Sequence, residues 1–104
     1  MTYRLIQKNF LHGTQEFELM DDKIKAKFTH PFKKNKQLDI VLAMLNPEPV
    51  VENSQLHFHS RVKCGPLISL YLNKPNPQEF NTFVEAVKAQ AKKEYSAFSG
   101  QNIL

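Results

Sequence analysis

The sequence predicts a mainly β domain closed by one C-terminal α-helix, and three features of its pattern carry that expectation. Short runs in which apolar and polar residues alternate with period two recur from Thr2 to Asn73. Turn-forming residues separate the runs, among them Asp21-Asp22, Asn46-Pro47-Glu48-Pro49 and Gly65-Pro66. From Pro77 onward the period changes, and Phe80, Phe83, Val84, Val87, Ala91, Tyr95 and Phe98 recur at spacings of three and four, the stripe of an amphipathic helix.

The first run, Thr2 to Lys8, has the aromatic and β-branched content of a strand, although its alternation is imperfect. Thr14 to Met20 sets Phe17 and Leu19 on one face and Glu16 and Glu18 on the other, so one face is buried and one is wet. After the Asp21-Asp22 turn, Lys23 to Phe28 points Ile24, Ala26 and Phe28 inward and leaves Lys23, Lys25 and Lys27 as a comb outside, which makes these two runs a hairpin. His30 to Lys36 has a proline, polar residues and no period, and reads as a loop. Gln37 to Leu42 resumes alternation through Leu38, Ile40 and Leu42. Val50-Val51 is a short apolar return after two prolines that cannot donate to a ladder, and it suits a brief edge strand. Gln55 to Ser60 buries Leu56 and Phe58 and exposes His57 and His59, and Ile68, Leu70 and Leu72 then alternate with Ser69, Tyr71 and Asn73. These runs amount to about seven strands within residues 2–73.

The helix, expected over about 77–98, has a well-specified start. Asn76 can accept a hydrogen bond as N-cap, Pro77 suits the first helical position, and Glu79 stands three residues after Asn76 as in a capping box. Gly100 is the expected stop.

Composition bounds what such a chain can be. The 104 residues are one domain's worth, with 41% hydrophobic residues, 23% charged, eight Phe and three Tyr, enough to fill a single core. Cys64 is the only cysteine, which rules out an internal disulfide and a cysteine-dominated zinc site. The longest uninterrupted apolar run, Ile40 to Leu45, is six residues, far short of the roughly 20 that a spanning helix needs. The opening residues lack the apolar core and cleavage site of a secretory signal, so reducing cytosol is the expected compartment.

Seven strands in one flat sheet would leave an apolar face bare. Curling them into a curved antiparallel sheet or partly open barrel, capped by the helix, buries the Phe80/Phe83/Val87 stripe. This order and length resemble the pleckstrin-homology-like (PH-like) superfold. The stretch Phe17 to Ala91 in particular is similar to uncharacterised bacterial members, through the FELMDD-KIKAKF hairpin, QLDIVL, LHFHS, LISLYL and NPQEFNTFVEAVKAQ. The resemblance spans nearly the whole chain and rests on the order of elements, with no diagnostic motif. It implies a binding or scaffolding module rather than an enzyme, with no cofactor. Many members carry a tryptophan in the C-terminal helix that packs into the barrel, and Phe83 is the residue expected in that place here.

Two groups of residues stand out as candidate sites. Between Lys23 and Lys36 lie six lysines (Lys23, Lys25, Lys27, Lys33, Lys34 and Lys36) and no acid, the one local anomaly in a net charge of +4. Such a patch can neutralise the phosphates of a lipid headgroup or another anionic ligand, and equally it can keep an exposed strand soluble. PH-like domains that hold phosphoinositides use basic strand and loop positions near the open barrel end, usually with an arginine; no arginine occurs here between Arg4 and Arg61. His57 and His59, two apart on one strand, could share one Zn²⁺ and define a small metal-dependent enzyme as the competing reading. Their third ligand would have to come from His12, His30 or Cys64.

The remaining inventory is thin. Cys64, beside Gly65, has no surroundings that would lower its pKa. Ser54, Ser60 and Ser69 lie in no nucleophile-elbow pattern, and the three glycines are too dispersed to cradle a phosphate. Nucleic acid is disfavoured because Phe28 points inward and only Phe32 is left for stacking. A protein or peptide partner is the preferred expectation, since an edge strand can accept an extended chain by strand addition.

Overall fold

The computed structural model describes residues 3–9, 13–62 and 64–100, with side chains as far as Ala97. Seven strands are followed by one helix: β1 (Tyr3–Asn9), β2 (Gly13–Leu19), β3 (Lys23–Thr29), β4 (Lys36–Val41), β5 (Val50–Glu52), β6 (Gln55–His59), β7 (Pro66–Tyr71) and α1 (Pro77–Gly100). The period-two runs become the strands to within a residue or two. Gly100 is the last helical residue rather than the first beyond the helix. Phe98 lies in α1, but its side chain falls outside the described residues, as do Thr2 and His12.

Where the alternation predicts one curved sheet or a partly open barrel, the structure divides the strands into two antiparallel sheets and closes no barrel. The first has the order β1-β2-β3-β4 and the second β5-β6-β7. The division between β4 and β5 follows from the chain itself. A single 3-10 turn, Leu42–Met44, leads out of β4, and Pro47 and Pro49 then lack the donors a ladder would use. Among the described residues one bridge, Leu45↔Ser60, crosses this seam, flanked by bonds from Asn46 N to the His59 carbonyl (2.8 Å) and from Arg61 N to the Met44 carbonyl (2.8 Å).

Register decides which residues fill the core. One cross-strand row on the inner face of the first sheet is Leu5, Phe17, Ala26, Leu38, and the next is Tyr3, Leu19, Ile24, Ile40. Leu56, Phe58, Ile68 and Leu70 face them from the second sheet, and Phe80, Phe83, Val84, Val87 and Ala91 from α1. Phe83 is buried, as its place in the helical stripe predicts, and its ring lies 6.5 Å from that of Phe17. Among the described side chains the buried stripe ends at Ala91. Tyr95 is 40% exposed, and its ring instead receives the Arg61 guanidinium at 3.8 Å. The start of α1 is the expected one: Asn76 Oδ1 accepts from Glu79 N (2.9 Å), and Asn76 Nδ2 donates to Glu79 Oε2 (2.7 Å).

The seam between β1 and β7 is closed by a side chain. Gln7 is completely buried on the inner face, the only buried polar residue among the described residues. Its Nε2 donates to the carbonyls of Tyr71 (2.8 Å) and Lys74 (3.0 Å), while its Oε1 accepts from Tyr71 N (2.9 Å) and from Gln15 Nε2 (2.8 Å). Gln15 Nε2 also reaches the Ser69 carbonyl at 3.2 Å. The carboxamide thus exchanges a donor and an acceptor with Tyr71 as a neighbouring peptide unit would, and all four of its bonds are made. At the start of β2, two residues before Gln15, a Cβ on Gly13 would run into the Thr29 carbonyl, and the backbone there has φ +89°, so only glycine fits.

Two stability outcomes follow. Gln7→Leu keeps the volume but leaves the Tyr71 N–H and the Tyr71 and Lys74 carbonyls without their partner, and it should cost about 2–4 kcal/mol in urea denaturation. Asn76→Ala should cost about 1 kcal/mol in the same assay, the usual loss for a removed N-cap.

Candidate binding surfaces

The six lysines do not converge on one point. Lys23, Lys25 and Lys27 do project from the outer face of β3, as expected, but the register surrounds them with acids brought in by β2 and β4. Arg4 lies opposite Glu18, Glu18 opposite Lys25, and Lys25 opposite Asp39, a cross-strand row of alternating sign. Lys27 faces Glu16. Arg4 reaches both Glu16 and Glu18 at 3.3 Å, and Lys23 pairs with Asp39 at 3.4 Å. A stretch of sequence without acids therefore becomes a balanced ladder once the strands pair. Lys33 and Lys34 are exposed on the β3–β4 loop, and Lys36 begins β4 on the inner-face row of Gln7, Gln15 and Phe28. These three have no ion-pair partner among the described residues.

His57 and His59 lie on one face of β6 with ring centroids 6.3 Å apart. Among the described residues no third His, Cys, Asp or Glu joins them. His57 Nδ1 shares a 2.7 Å hydrogen bond with Ser69 Oγ on the paired strand β7. Cys64 is exposed in the β6–β7 connection, and Asp21-Asp22 forms the β2–β3 turn, closed by Met20 N donating to the Lys23 carbonyl at 2.8 Å. Phe28 packs edge-on against Phe17 at 6.0 Å, which leaves Phe32, 97% exposed, as the aromatic of the lysine loop.

Two concavities bring together residues that sequence reasoning left apart. The more apolar one, about 270 Å³, runs beside the unpaired edge of β4, with Leu38, Ile40, Val41 and Met44 on one bank and Ser60, Val62 and Leu67 on the other. Val41, Met44 and Val62 are 54%, 36% and 68% exposed along it. A larger and more polar cleft, about 490 Å³, is lined by Lys8, Asn9, Ser54, Tyr71, Leu72 and Lys74. Lys8 and Lys74 carry no local signal in sequence, since each is a lone lysine, one near the end of β1 and the other in the β7–α1 connection. No helix among the described residues is long and apolar enough to cross a membrane. Comparison with family models, curated proteins and solved structures gives no match for this chain.

The charge ladder separates the lysines by experiment. Lys25→Glu places a carboxylate between Glu18 and Asp39 and should lower stability by about 1 kcal/mol in urea, an effect that shrinks in high salt. Lys34→Glu, on the exposed loop, should leave the urea midpoint unchanged.

Proposed function

We propose that this chain is a non-catalytic binding module of the PH-like type, set in the cytosol, whose partner is an extended peptide laid along the free edge of β4. The order of four strands, three strands and a helix, with Phe83 at the centre of the core, supports the class. The observation that carries the peptide reading is the coincidence of an unpaired six-residue edge with the apolar groove beside it. β5, the open edge of the second sheet, is only three residues long, too short to template a partner strand.

The groove also states the chemistry of its occupant. An added strand hydrogen-bonds through its backbone, so side-chain specificity comes from alternate residues. Those facing the groove meet Leu38, Ile40, Met44 and Leu67 and should be apolar. At the N-terminal end of β4 stand Lys33, Lys34 and Lys36, so the corresponding end of the peptide should be acidic. For an antiparallel strand that end is the peptide's C-terminus. These loop lysines are what remains of the anionic-ligand reading once the β3 lysines are matched with acids.

A synthetic peptide of alternating valine and threonine, ending in two C-terminal glutamates, is a direct probe. In amide-resolved NMR it should shift and protect the amides of Lys36 to Val41, with affinity that falls as salt rises. Lys34→Glu and Val62→Asp, both at exposed positions, should each weaken it about tenfold. Shifts absent from β4, or affinity untouched by both substitutions, would sink the reading.

A further inference from the structure

The polar cleft at the opposite seam has a different chemistry from the groove, and nothing in the peptide reading uses it. Its walls come from three places: Lys8 and Asn9 at the end of β1, Ser54 in the β5–β6 turn, and Tyr71, Leu72 and Lys74 where β7 runs toward α1. Their side chains carry two ammonium groups, two hydroxyls and a carboxamide, with no carboxylate on the lining. Neither Lys8 nor Lys74 has an ion-pair partner among the described residues. The volume, about 490 Å³, lies within the range of small-molecule sites.

The cleft is also held rigid. Its floor passes through Tyr71 and Lys74, whose backbone groups are the ones bonded by the buried Gln7 carboxamide. The β5–β6 turn is fixed against it by Leu72 N donating to the Ser54 carbonyl at 3.3 Å. Lys74 therefore projects from an anchored backbone rather than from a free loop, which lowers the entropy lost when its ammonium engages a ligand.

Ser54 supplies an independent sign. Asn53 and Ser54 have φ of +52° and +64°, the two left-handed positions of a tight hairpin turn. Asparagine suits the first, but glycine is by far the cheaper residue for the second, and a serine there accepts backbone strain. The third left-handed non-glycine among the described residues, Asn73 at +60°, stands between the lining residues Leu72 and Lys74. All three left-handed residues thus lie in or beside the lining, and the serine in the place that favours glycine is the one that lines the cleft.

We propose that this cleft binds a small phosphate-bearing ligand, with Lys8 and Lys74 as its cationic contacts and Ser54 as a hydroxyl contact. Ammonium and hydroxyl groups form charge-assisted hydrogen bonds to phosphate oxygens, and the absence of a lining carboxylate removes the group that would repel them. Tyr71 and Leu72 meet the remainder of the ligand. The phosphate could belong to a free solute or to a lipid headgroup, since both offer the same group to the same lysines.

The test titrates the intact protein with inorganic pyrophosphate, with adenosine monophosphate, and with phosphatidylcholine vesicles containing about a tenth phosphatidylinositol phosphate. Saturable binding at low salt is expected, with NMR shifts centred on Lys8, Ser54 and Lys74. Response to the soluble probes assigns a free solute, and response to the vesicles alone assigns a headgroup. Lys8→Gln/Lys74→Gln should weaken binding at least about tenfold, while Lys92→Gln/Lys93→Gln, an equal charge change on exposed positions of α1, should leave it unchanged. Ser54→Gly should raise the melting temperature and yet weaken binding, whereas a serine with only a structural role would give the first change without the second. The proposal is overturned by no saturable binding of any probe, or by equal losses in the two double variants. Retained affinity in Ser54→Gly would strike Ser54 from the site.

Discussion

Gln7 holds the molecule's two sheets in one relation. At the seam where β1 and β7 approach, no backbone ladder forms, and its carboxamide takes the place of a peptide unit, giving and receiving one bond each with Tyr71. Two further bonds, to Lys74 and from Gln15, fix the chain entering α1 and the neighbouring strand β2 to the same point. A buried amide satisfied at every position stabilises and orients, whereas one left half-satisfied would oppose folding. The position of α1 over the core depends on this, because the helix is capped at Asn76, two residues beyond the clamped Lys74.

The two seams of the fold are accordingly different surfaces. The Gln7 seam is tied, and the polar cleft sits on its rigid backbone. The other seam, between β4 and the β6–β7 connection, is crossed by one bridge and leaves an apolar groove beside an unpaired strand. Prolines at 47 and 49 are the cause of the second, since a chain without donors there cannot carry the ladder from β4 into β5. A fold that closed fully would have neither feature. Both concavities exist because the strands do not close.

Electrostatics make the same point. Lys23, Lys25 and Lys27 stand in the most basic stretch of the chain, but pairing places Glu16, Glu18 and Asp39 around them, and Arg4 completes the ladder from β1. Charge density along a sequence is thus a poor guide to charge density on a sheet, because each strand's neighbours arrive from elsewhere in the chain. Lys33 and Lys34 on the loop, Lys36 at the start of β4, Lys8 near the end of β1 and Lys74 in the β7–α1 connection are among the cationic groups without an ion-pair partner among the described residues.

Local periodicity by itself determined the seven strands, the inward residues of β2, β3 and β6, and the capped start of α1, because each is set by residues within a few positions of one another. The same reasoning set Phe83 in the inward stripe of the helix and His57 and His59 on one strand face, since helix and strand periods fix both. It extended the buried stripe to Tyr95, where periodicity continues but the core beneath ends and Arg61 covers the ring instead. Tertiary structure alone decided the division into two sheets, the role of Gln7, the acids set opposite the β3 lysines and the meeting of Lys8, Ser54 and Lys74. Each of these depends on contacts between residues far apart in the chain, and hydrophobic period carries no information about which polar groups will face one another across a seam.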